Sequence, residues 1–287
     1  MTRRSLKSPN MKPPLNAASL WKAGQLGAEA RVAIVDAGFD SSVRTGIPPD
    51  HFLDLTAASG AALDQTPNHH GTTVLGIIRR HAPLAQIWGA KVGTSIDGLN
   101  SSRVLHALDW CYRQGAQIVN LSMGFPVTSA CLHNQCHLCD AIAKLAERGV
   151  LIVVAEGNDD PRLGSGGHLI RCPAVSEHAI TVGAVDGTGT ALATYSVRGI
   201  SGRDKPDILA PGTALLADGT LQTGTSFAAP AVSAAIALLG PRIGYSAAWQ
   251  IIRDTSRQHP ISGSSAGVLD ITKAWEVANG AGTRSGS

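Results

Sequence analysis

The stretch GTSFAAPAVSAAIALL, residues 224–239, decides the architecture of this chain of 287 residues. Between positions 226 and 239 only Ser226 and Ser233 carry polar side chains, so a helix formed here is apolar on every side and has to lie inside the protein. At about fourteen residues it is too short to cross a lipid bilayer, which needs about twenty. The stretch therefore predicts a buried helix at the centre of a domain.

Ser226 falls near the N-terminus of this predicted helix, just after Gly224, which permits a close approach of the backbone. Free N–H groups and the helix dipole at that end favour developing negative charge, so the hydroxyl is a candidate nucleophile. A serine that caps a core helix is the more common role in this position. The segment alone leaves both interpretations open.

The composition indicates a folded α/β chain, with 44% hydrophobic residues, 16% charged residues and 32 glycines. No stretch is typical of a linker between two cores, so we predict one domain at residues 17–278, a polar tail at 1–16 and a frayed tail at 279–287. The net charge of +3 is small and gives no case for a nucleic-acid partner. A membrane partner is not predicted either.

Two earlier segments place polar side chains beside apolar elements. RVAIVDAG, residues 31–38, predicts a buried parallel strand with Asp36 at its C-terminal tip, where chemistry gathers in open α/β sheets. An aspartate that merely opens a turn is the alternative. HHGTTVLGII, residues 69–78, predicts a helix that begins after a polar entry, with His69 and His70 at its start.

These segments resemble the three signatures of the subtilisin-like serine proteases, the subtilases, whose serine motif is Gly-Thr-Ser, a bulky apolar residue and Ala-Ala-Pro. The resemblance implies a three-layer α/β sandwich with a mostly parallel central sheet. It also implies a serine endopeptidase with the triad Asp36, His70 and Ser226. The family's Gly-Thr pair must follow the catalytic histidine, which selects His70 over His69. The order Asp, His, Ser matches the subtilisin arrangement.

Two further strands, predicted at residues 117–124 and 150–158, resemble the family's substrate-binding segments. In relatives the backbone of the first pairs with an extended substrate as an added strand. The resemblance makes Asn158 the side-chain donor of the oxyanion hole, together with the backbone N–H of Ser226. Asp159 would lie at the rim of the first specificity pocket and give it some tolerance for basic or polar residues. The predicted substrate-binding residues are Ser122, Met123, Gly124, Ala155, Gly157 and Asp159.

Three residues depart from the family pattern. Ala37 removes a hydroxyl near Asp36, Thr73 replaces a second histidine, and Glu156 places a charge in a buried run without an identifiable partner. These changes support the alternative of a catalytically silent subtilase fold that acts as a binding or maturation scaffold. An esterase or lipase is disfavoured, because the chain lacks the Gly-x-Ser-x-Gly elbow.

Five cysteines, an odd number, do not require a disulfide framework. Cys111 lies on the apolar face of a predicted helix and is expected to be buried. Cys131, Cys136, Cys139 and Cys172 raise the question of zinc, but their spacing lacks the paired Cys-x-x-Cys units of the stronger signatures. We expect free thiols first, a disulfide second and a metal last.

The resemblance also bears on cofactors and partners. No cofactor is required, and calcium, which often stabilises this family, stays unassigned because no loop has recognisable ligand spacing. We expect a peptide or protein substrate and a monomer. The polar N-terminus has no signal peptide, which predicts a cytoplasmic enzyme; a chain that is a processed mature fragment would instead be secreted.

Overall fold

The computed structural model describes residues 16–56, 62–95, 98–160, 169–200, 202–216, 219–256, 261 and 264–282. The predicted tails therefore lie largely outside the described residues. The last helix continues to Gly282, beyond Asn279, where the sequence predicts the frayed tail to begin.

The helices and strands alternate along most of the chain. A 3₁₀ turn at Pro49–His51 precedes β2. In chain order the elements are α1 (Ala18–Lys22), β1 (Arg31–Asp36), α2 (Ser41–Arg44), β2 (Phe52–Asp54), α3 (His70–His81), β3 (Gln86–Lys91), α4 (Ser101–Arg113), β4 (Ile118–Leu121), α5 (Ser129–Leu132), α6 (His137–Glu147), β5 (Leu151–Ala155), β6 (Ile180–Val185), β7 (Ile208–Pro211), β8 (Thr213–Leu215), β9 (Leu221–Thr223), α7 (Thr225–Ile243), α8 (Tyr245–Ser256) and α9 (Ile271–Gly282).

Seven of the described strands form one parallel sheet in the order β2-β3-β1-β4-β5-β6-β7. In the register of the central strand β1, Val32 lies opposite Ile87 on one side and Ile118 on the other. Because β1 joins β3 on one flank and β4 on the other, the strand order reverses there. Crevices at such a reversal, outside the carboxyl ends of the strands, are where α/β sheets place ligands.

The sheet separates two hydrophobic cores, as a strand buried on both faces requires. Along β1, Val32 and Ile34 point into the core shared with α3 and α7, whereas Ala33 and Val35 point into the core shared with α4 and α6. The fold therefore has three layers, with the sheet between two layers of helices. The predicted three-layer α/β sandwich with a mostly parallel sheet is confirmed.

Helix α7 is the buried central helix that the sequence predicts, but it is longer. It spans 19 residues, Thr225–Ile243, because Gly240, Pro241 and the residues after them continue it. Among the described helices, α7 is the one whose length and composition would allow a membrane crossing, and 78% of its apolar window is buried in the protein. The predicted helix length of about fourteen residues is thus wrong, while the prediction that the helix is buried is confirmed.

Helix α6 begins at His137, directly after a cysteine. The reason is an unusual cap, because the thiol of Cys136 accepts the backbone N–H of Cys139 at 3.4 Å. Serine, threonine, aspartate and asparagine are the ordinary residues for this role, so the pattern gave no start signal there.

Candidate active site

Asp36 ends β1 at the point where the strand order reverses, and its side chain is completely buried. Its Oδ1 accepts hydrogen bonds from the backbone N–H of Ala37 at 2.7 Å and from Nδ1 of His70 at 2.8 Å. Its Oδ2 is buried without a hydrogen-bond partner in the part of the chain that the structure describes. The carboxylate is therefore held in place on one oxygen and desolvated on both.

His70 is the first residue of α3 and is 4% exposed. The helix start comes very close to β1: a Cβ on Gly71 would lie 2.3 Å from the carbonyl oxygen of Gly38. Only glycine fits there, which is the physical reason for the His-Gly pair. The ring of Phe227 lies against the imidazole, with ring centroids 5.7 Å apart.

Burial lowers the pKa of His70, but the negative charge of Asp36 and its hydrogen bond raise it by more, so the pKa lies above the ordinary 6.5. A second carboxylate, Asp64, adds to the same direction. Proton uptake by this imidazole is therefore favoured by its surroundings.

Asp64 also holds the chain around His70 and was missed by the sequence analysis. One oxygen accepts the hydroxyl and backbone N–H of Thr66 at 2.6 and 3.0 Å, and the other accepts those of Thr72 at 2.7 and 3.0 Å. Thr66 in turn accepts the backbone N–H of His70 at 2.8 Å. Its sequence signal, an Asp-x-Thr turn, is too common to single out.

Ser226 is the second residue of α7 and faces the end of β4. Its hydroxyl donates to the carbonyl oxygen of Ser122 at 3.1 Å, and the Ser122 hydroxyl donates to the carbonyl oxygen of Ser226 at 2.7 Å. Pro230, four residues on, has no N–H to offer that carbonyl, so Ser122 replaces the missing helical bond. Between these described residues, His70 and the Ser226 hydroxyl share no hydrogen bond.

A buried chain of polar side chains fixes α7 to β4. Ser233 donates to Oδ1 of Asn120 at 2.9 Å, and Nδ2 of Asn120 donates to the Ser122 hydroxyl at 2.9 Å. This explains the second serine of the apolar stretch, whose hydroxyl is satisfied inside the core as a buried polar group must be. This series of hydrogen bonds sets the position of α7, and with it that of Ser226.

Asn158 follows β5, and hydrogen bonds from Thr225 orient its side-chain amide. Its Oδ1 accepts the backbone N–H of Thr225 at 2.9 Å and the hydroxyl at 3.1 Å. Its Nδ2 has no hydrogen-bond partner among the residues described, so two N–H donors stay available. The backbone N–H of Ser226 belongs to the first turn of α7, where N–H groups have no acceptor within the helix.

A groove of about 800 Å³ runs past Ser226 and Asn158. The structure brings all six predicted substrate-binding residues to its wall, namely Ser122, Met123, Gly124, Ala155, Gly157 and Asp159. Asp36 and His70 do not line this groove; the His70 ring packs against Phe227, the residue after Ser226.

Arg171 also lines the groove and was not predicted. Its aliphatic part passes between two glycines: a Cβ on Gly124 would lie 2.4 Å from its Cβ, and one on Gly157 would lie 2.6 Å from its Cγ. Its guanidinium donates to the carbonyl oxygen of Asn158 at 3.4 Å. Arg171 sits in a segment without a motif, so only the folded chain reveals its place in the groove.

Glu156, whose partner the sequence left open, is completely buried beneath this segment. Its carboxyl group accepts the backbone N–H of Gly199 at 2.7 Å and the hydroxyl of Ser196 at 3.3 Å. Burial raises its pKa to about 8, although both hydrogen bonds act in the opposite direction. At neutral pH the group is therefore largely a neutral acid.

His69 and the cysteines lie apart from this arrangement. His69 points outward and pairs with Asp40 at 2.7 Å. Cys111 is completely buried, as expected. The sulfur atoms of the remaining four cysteines lie within 4.8 Å of one another, and none of these cysteines lines the groove.

Comparison with known sequences finds one matching family. The model of the subtilase family matches residues 27–258. The minor extracellular protease Epr of Bacillus subtilis is 32% identical over 249 residues, which cover 80% of this chain and 35% of Epr. Subtilisin E of the same species is 28% identical over 248 residues, which cover 78% of this chain and 59% of the relative. The chain thus spans less than two thirds of either relative.

Among solved structures, a protease of Pseudoalteromonas arctica superimposes with a TM-score of 0.71 at 20% sequence identity. The match covers 92% of this chain and 94% of the other. At that identity the likeness is one of fold.

Proposed function

This chain belongs to the subtilase family, and on that premise we propose that it is a serine endopeptidase that cleaves peptide bonds through an acyl-enzyme on Ser226. The observation that carries the proposal is the 2.8 Å contact between the buried groups of His70 and Asp36, with the His70 ring packed against Phe227, the residue after Ser226. A serine hydroxyl is a poor nucleophile at neutral pH and needs an oriented base, which this pair supplies.

In the proposed reaction the hydroxyl of Ser226 leaves the Ser122 carbonyl and rotates toward Nε2 of His70. The serine oxygen forms a bond to the peptide carbonyl carbon while Nε2 takes its proton. His70 then gives that proton to the leaving amine, and water hydrolyses the acyl-enzyme by the same steps. Asp36 holds the Nδ1–H tautomer and stabilises the imidazolium. Side chains and backbone of this chain, together with water, supply every group in the proposed reaction, so it needs no cofactor.

The oxyanion is proposed to bind between Nδ2 of Asn158 and the backbone N–H of Ser226. Thr225 occupies Oδ1 of Asn158 and so orients the amide with its N–H groups toward the groove. Replacing Asn158 by alanine is expected to lower kcat by about 10²–10³-fold, a magnitude that comes from subtilisin itself.

The substrate is proposed to be a peptide or protein in extended form. The backbone of residues 122–124 would pair with it as an added strand, with side-chain pockets beside that strand. For the first pocket we retain the hypothesis of tolerance for basic or polar residues, and Asp159 on the groove wall would extend it to a preference for basic ones. Arg171 on the same wall supports the opposite choice, an acidic residue.

A peptide library with a varied residue before the scissile bond separates these two choices. A preference for basic residues that weakens in Asp159→Asn supports the Asp159 hypothesis. A preference for acidic residues that disappears in Arg171→Met assigns the pocket to Arg171 instead. Cleavage after large apolar residues alone, unchanged in both variants, contradicts the polar pocket.

The triad assignment is tested with a fluorophosphonate probe, which reacts with activated serines. The folded wild-type protein should be labelled, as should Ser102→Ala, which removes an exposed serine from α4. Ser226→Ala should not be labelled. If the wild type stays unlabelled while circular dichroism shows it to be folded, the proposal fails and the silent scaffold is favoured.

The cytoplasmic prediction has no support from the relatives. One relative is by name an extracellular protease, which is consistent with the secreted alternative. We therefore propose secretion, which fractionation of the producing cells would test by the location of the labelled protein.

A further inference from the structure

Four cysteines from three separate segments meet at one point. Cys131 comes from α5, Cys136 and Cys139 come from the start of α6, and Cys172 comes from the segment before β6. Each sulfur atom lies within 4.8 Å of the other three. The separation is 3.5 Å between Cys136 and Cys172 and 4.0 Å between Cys139 and Cys172.

These separations fit a single tetrahedral ion. With zinc–sulfur bonds of about 2.3 Å, the ligands of a tetrahedron lie about 3.8 Å apart. Two disulfides would bring the sulfurs into two pairs but would not require every sulfur to lie close to all three others. A set of four thiolates with tetrahedral geometry selects zinc or an iron–sulfur centre over harder metals.

The surroundings of the sulfurs suit thiolate ligands. Cys136 accepts the N–H of Cys139, the i+3 position of a Cys-x-x-Cys unit at the N-terminus of α6. Cys131 accepts the backbone N–H of Thr128 at 3.5 Å, and its sulfur lies 3.3 Å from the hydroxyl of the same residue. Such hydrogen bonds orient the ligands of a metal site and spread their charge.

A cation also lies beside the cluster. The guanidinium of Arg203 donates to the carbonyl oxygens of Leu132 and Val175, next to the segments that carry Cys131 and Cys172. One zinc ion with four thiolates carries a net charge of −2, of which a neighbouring arginine offsets half. Four thiolates fill a tetrahedral coordination sphere and leave no open position, as in structural rather than catalytic zinc sites. Three of the four cysteines are also buried.

We propose that Cys131, Cys136, Cys139 and Cys172 bind one structural zinc ion that fastens α5 and α6 to the wall of the substrate groove. This goes against the order of expectations drawn from the cysteine spacing, which placed a metal last. The spacing shows only the Cys-x-x-Cys unit of Cys136 and Cys139, whereas the fold adds the two distant ligands. The proposal is independent of the proteolytic function.

The position of Cys172 connects the ion to the groove. Its backbone exchanges two hydrogen bonds with Phe125, of 2.7 and 2.9 Å, and Phe125 lines the groove. Arg171, the preceding residue, lines the groove as well. Fixing Cys172 would therefore fix the glycine-lined slot through which Arg171 passes.

The test is metal analysis of the full chain, purified under reducing conditions from cells supplied with zinc. We expect about one zinc ion per chain in the wild type. Cys139→Ser and Cys172→Ser should each fall below about a tenth of that content. Cys111→Ser, which removes a buried cysteine of the same core outside the cluster, is the matched control and should keep the zinc.

A second measurement needs no variant. Reconstitution of the unfolded wild-type chain with cobalt(II) should give the visible absorption of tetrahedral thiolate coordination, and removal of the metal with a chelator should lower the unfolding temperature. Wild-type protein that carries neither zinc nor cobalt overturns the proposal. Such metal-free protein overturns the proposal in either state of the cluster, with four thiols that titrate as free groups or with disulfides that each lower the mass by two hydrogens. Zinc retained in Cys139→Ser overturns it too.

Discussion

Two histidine–aspartate pairs lie side by side at the start of α3, and they differ in little except burial. His70 and Asp36 are 2.8 Å apart with side chains 5% and 0% exposed. His69 and Asp40 are 2.7 Å apart with side chains 55% and 30% exposed. The same histidine–aspartate contact thus occurs once inside the protein, at the carboxyl end of β1, and once on the surface. Water and salt screen the outer pair, while the inner pair acts in a medium that strengthens its interaction.

The largest expected effect comes from exchanging the two histidines in turn for asparagine. His70→Asn removes the proposed base and should lower kcat by about 10⁶-fold, a magnitude taken from subtilisin itself. His69→Asn should leave kcat/KM close to the wild-type value. Asparagine suits this control because His69 has a φ of 47°, a left-handed conformation that asparagine tolerates. Steady-state cleavage of a peptide amide measures both.

Equal losses in the two histidine variants would show that burial does not separate the pairs. The assignment of the base to His70 would then be wrong.

The two aspartates give the next largest contrast. Asp36→Asn keeps the shape but cannot hold the Nδ1–H tautomer of His70, so kcat should fall by about 10⁴-fold. Asp40→Asn should change kcat little, because among the described residues its carboxylate pairs with the outer histidine alone, and the backbone of Asp40 keeps its bond to Thr72. A loss in Asp40→Asn as large as that in Asp36→Asn would contradict the comparison.

The pH dependence of activity sharpens the same point with a smaller effect. Because the neutral imidazole of His70 is the base and its pKa is raised, kcat/KM should increase with pH through a midpoint above 6.5. Asp36→Asn removes the charge that raises this pKa, so the residual activity should show a lower midpoint. His69→Asn should leave the midpoint in place. A midpoint that moves in His69→Asn but not in Asp36→Asn would reverse the assignment.

The smallest expected effect concerns a buried acid without a histidine. The pKa of Glu156 is raised from 4.5 to about 8, so between these values the folded chain holds a proton that the unfolded chain has lost. Stability from this group is therefore present at low pH and decreases as the pH rises through that window, by about 1.4 kcal/mol per pH unit. Glu156→Gln should remove this slope. Its amide oxygen can still accept the N–H of Gly199.

Urea unfolding of the wild type and Glu156→Gln at several pH values between 5 and 8 measures the difference. Parallel stability curves would mean that Glu156 is ionised in the folded protein and that burial alone does not distinguish the inner groups.

Local patterns carried much of the fold and part of the site. Apolar runs ending in glycine predicted β1 and β5, and the apolar stretch at residues 224–239 predicted α7 as a buried helix. Element ends were less well determined. The thiol cap of Cys136 and the continuation of α7 through Pro241 depend on contacts that local pattern does not encode.

The sequence did not single out Asp64 or Arg171, and it left the partners of Glu156 unidentified. Asp64 acts through two threonines, and Glu156 acts through the loop at Gly199. Arg171 packs between Gly124 and Gly157, which are far apart in the sequence. None of these partners follows a periodic spacing. The fold alone brings them together.

By itself the sequence determined the order of Asp36, His70 and Ser226 and the apolar helix that carries the serine, because these depend on residue type and near neighbours. The tertiary structure decided which carboxylate is buried against which imidazole, where the Ser226 hydroxyl donates, and that four scattered cysteines share one point. Those facts depend on packing across the sheet, and burial, which sets the strength of each charge, exists only once the layers have closed.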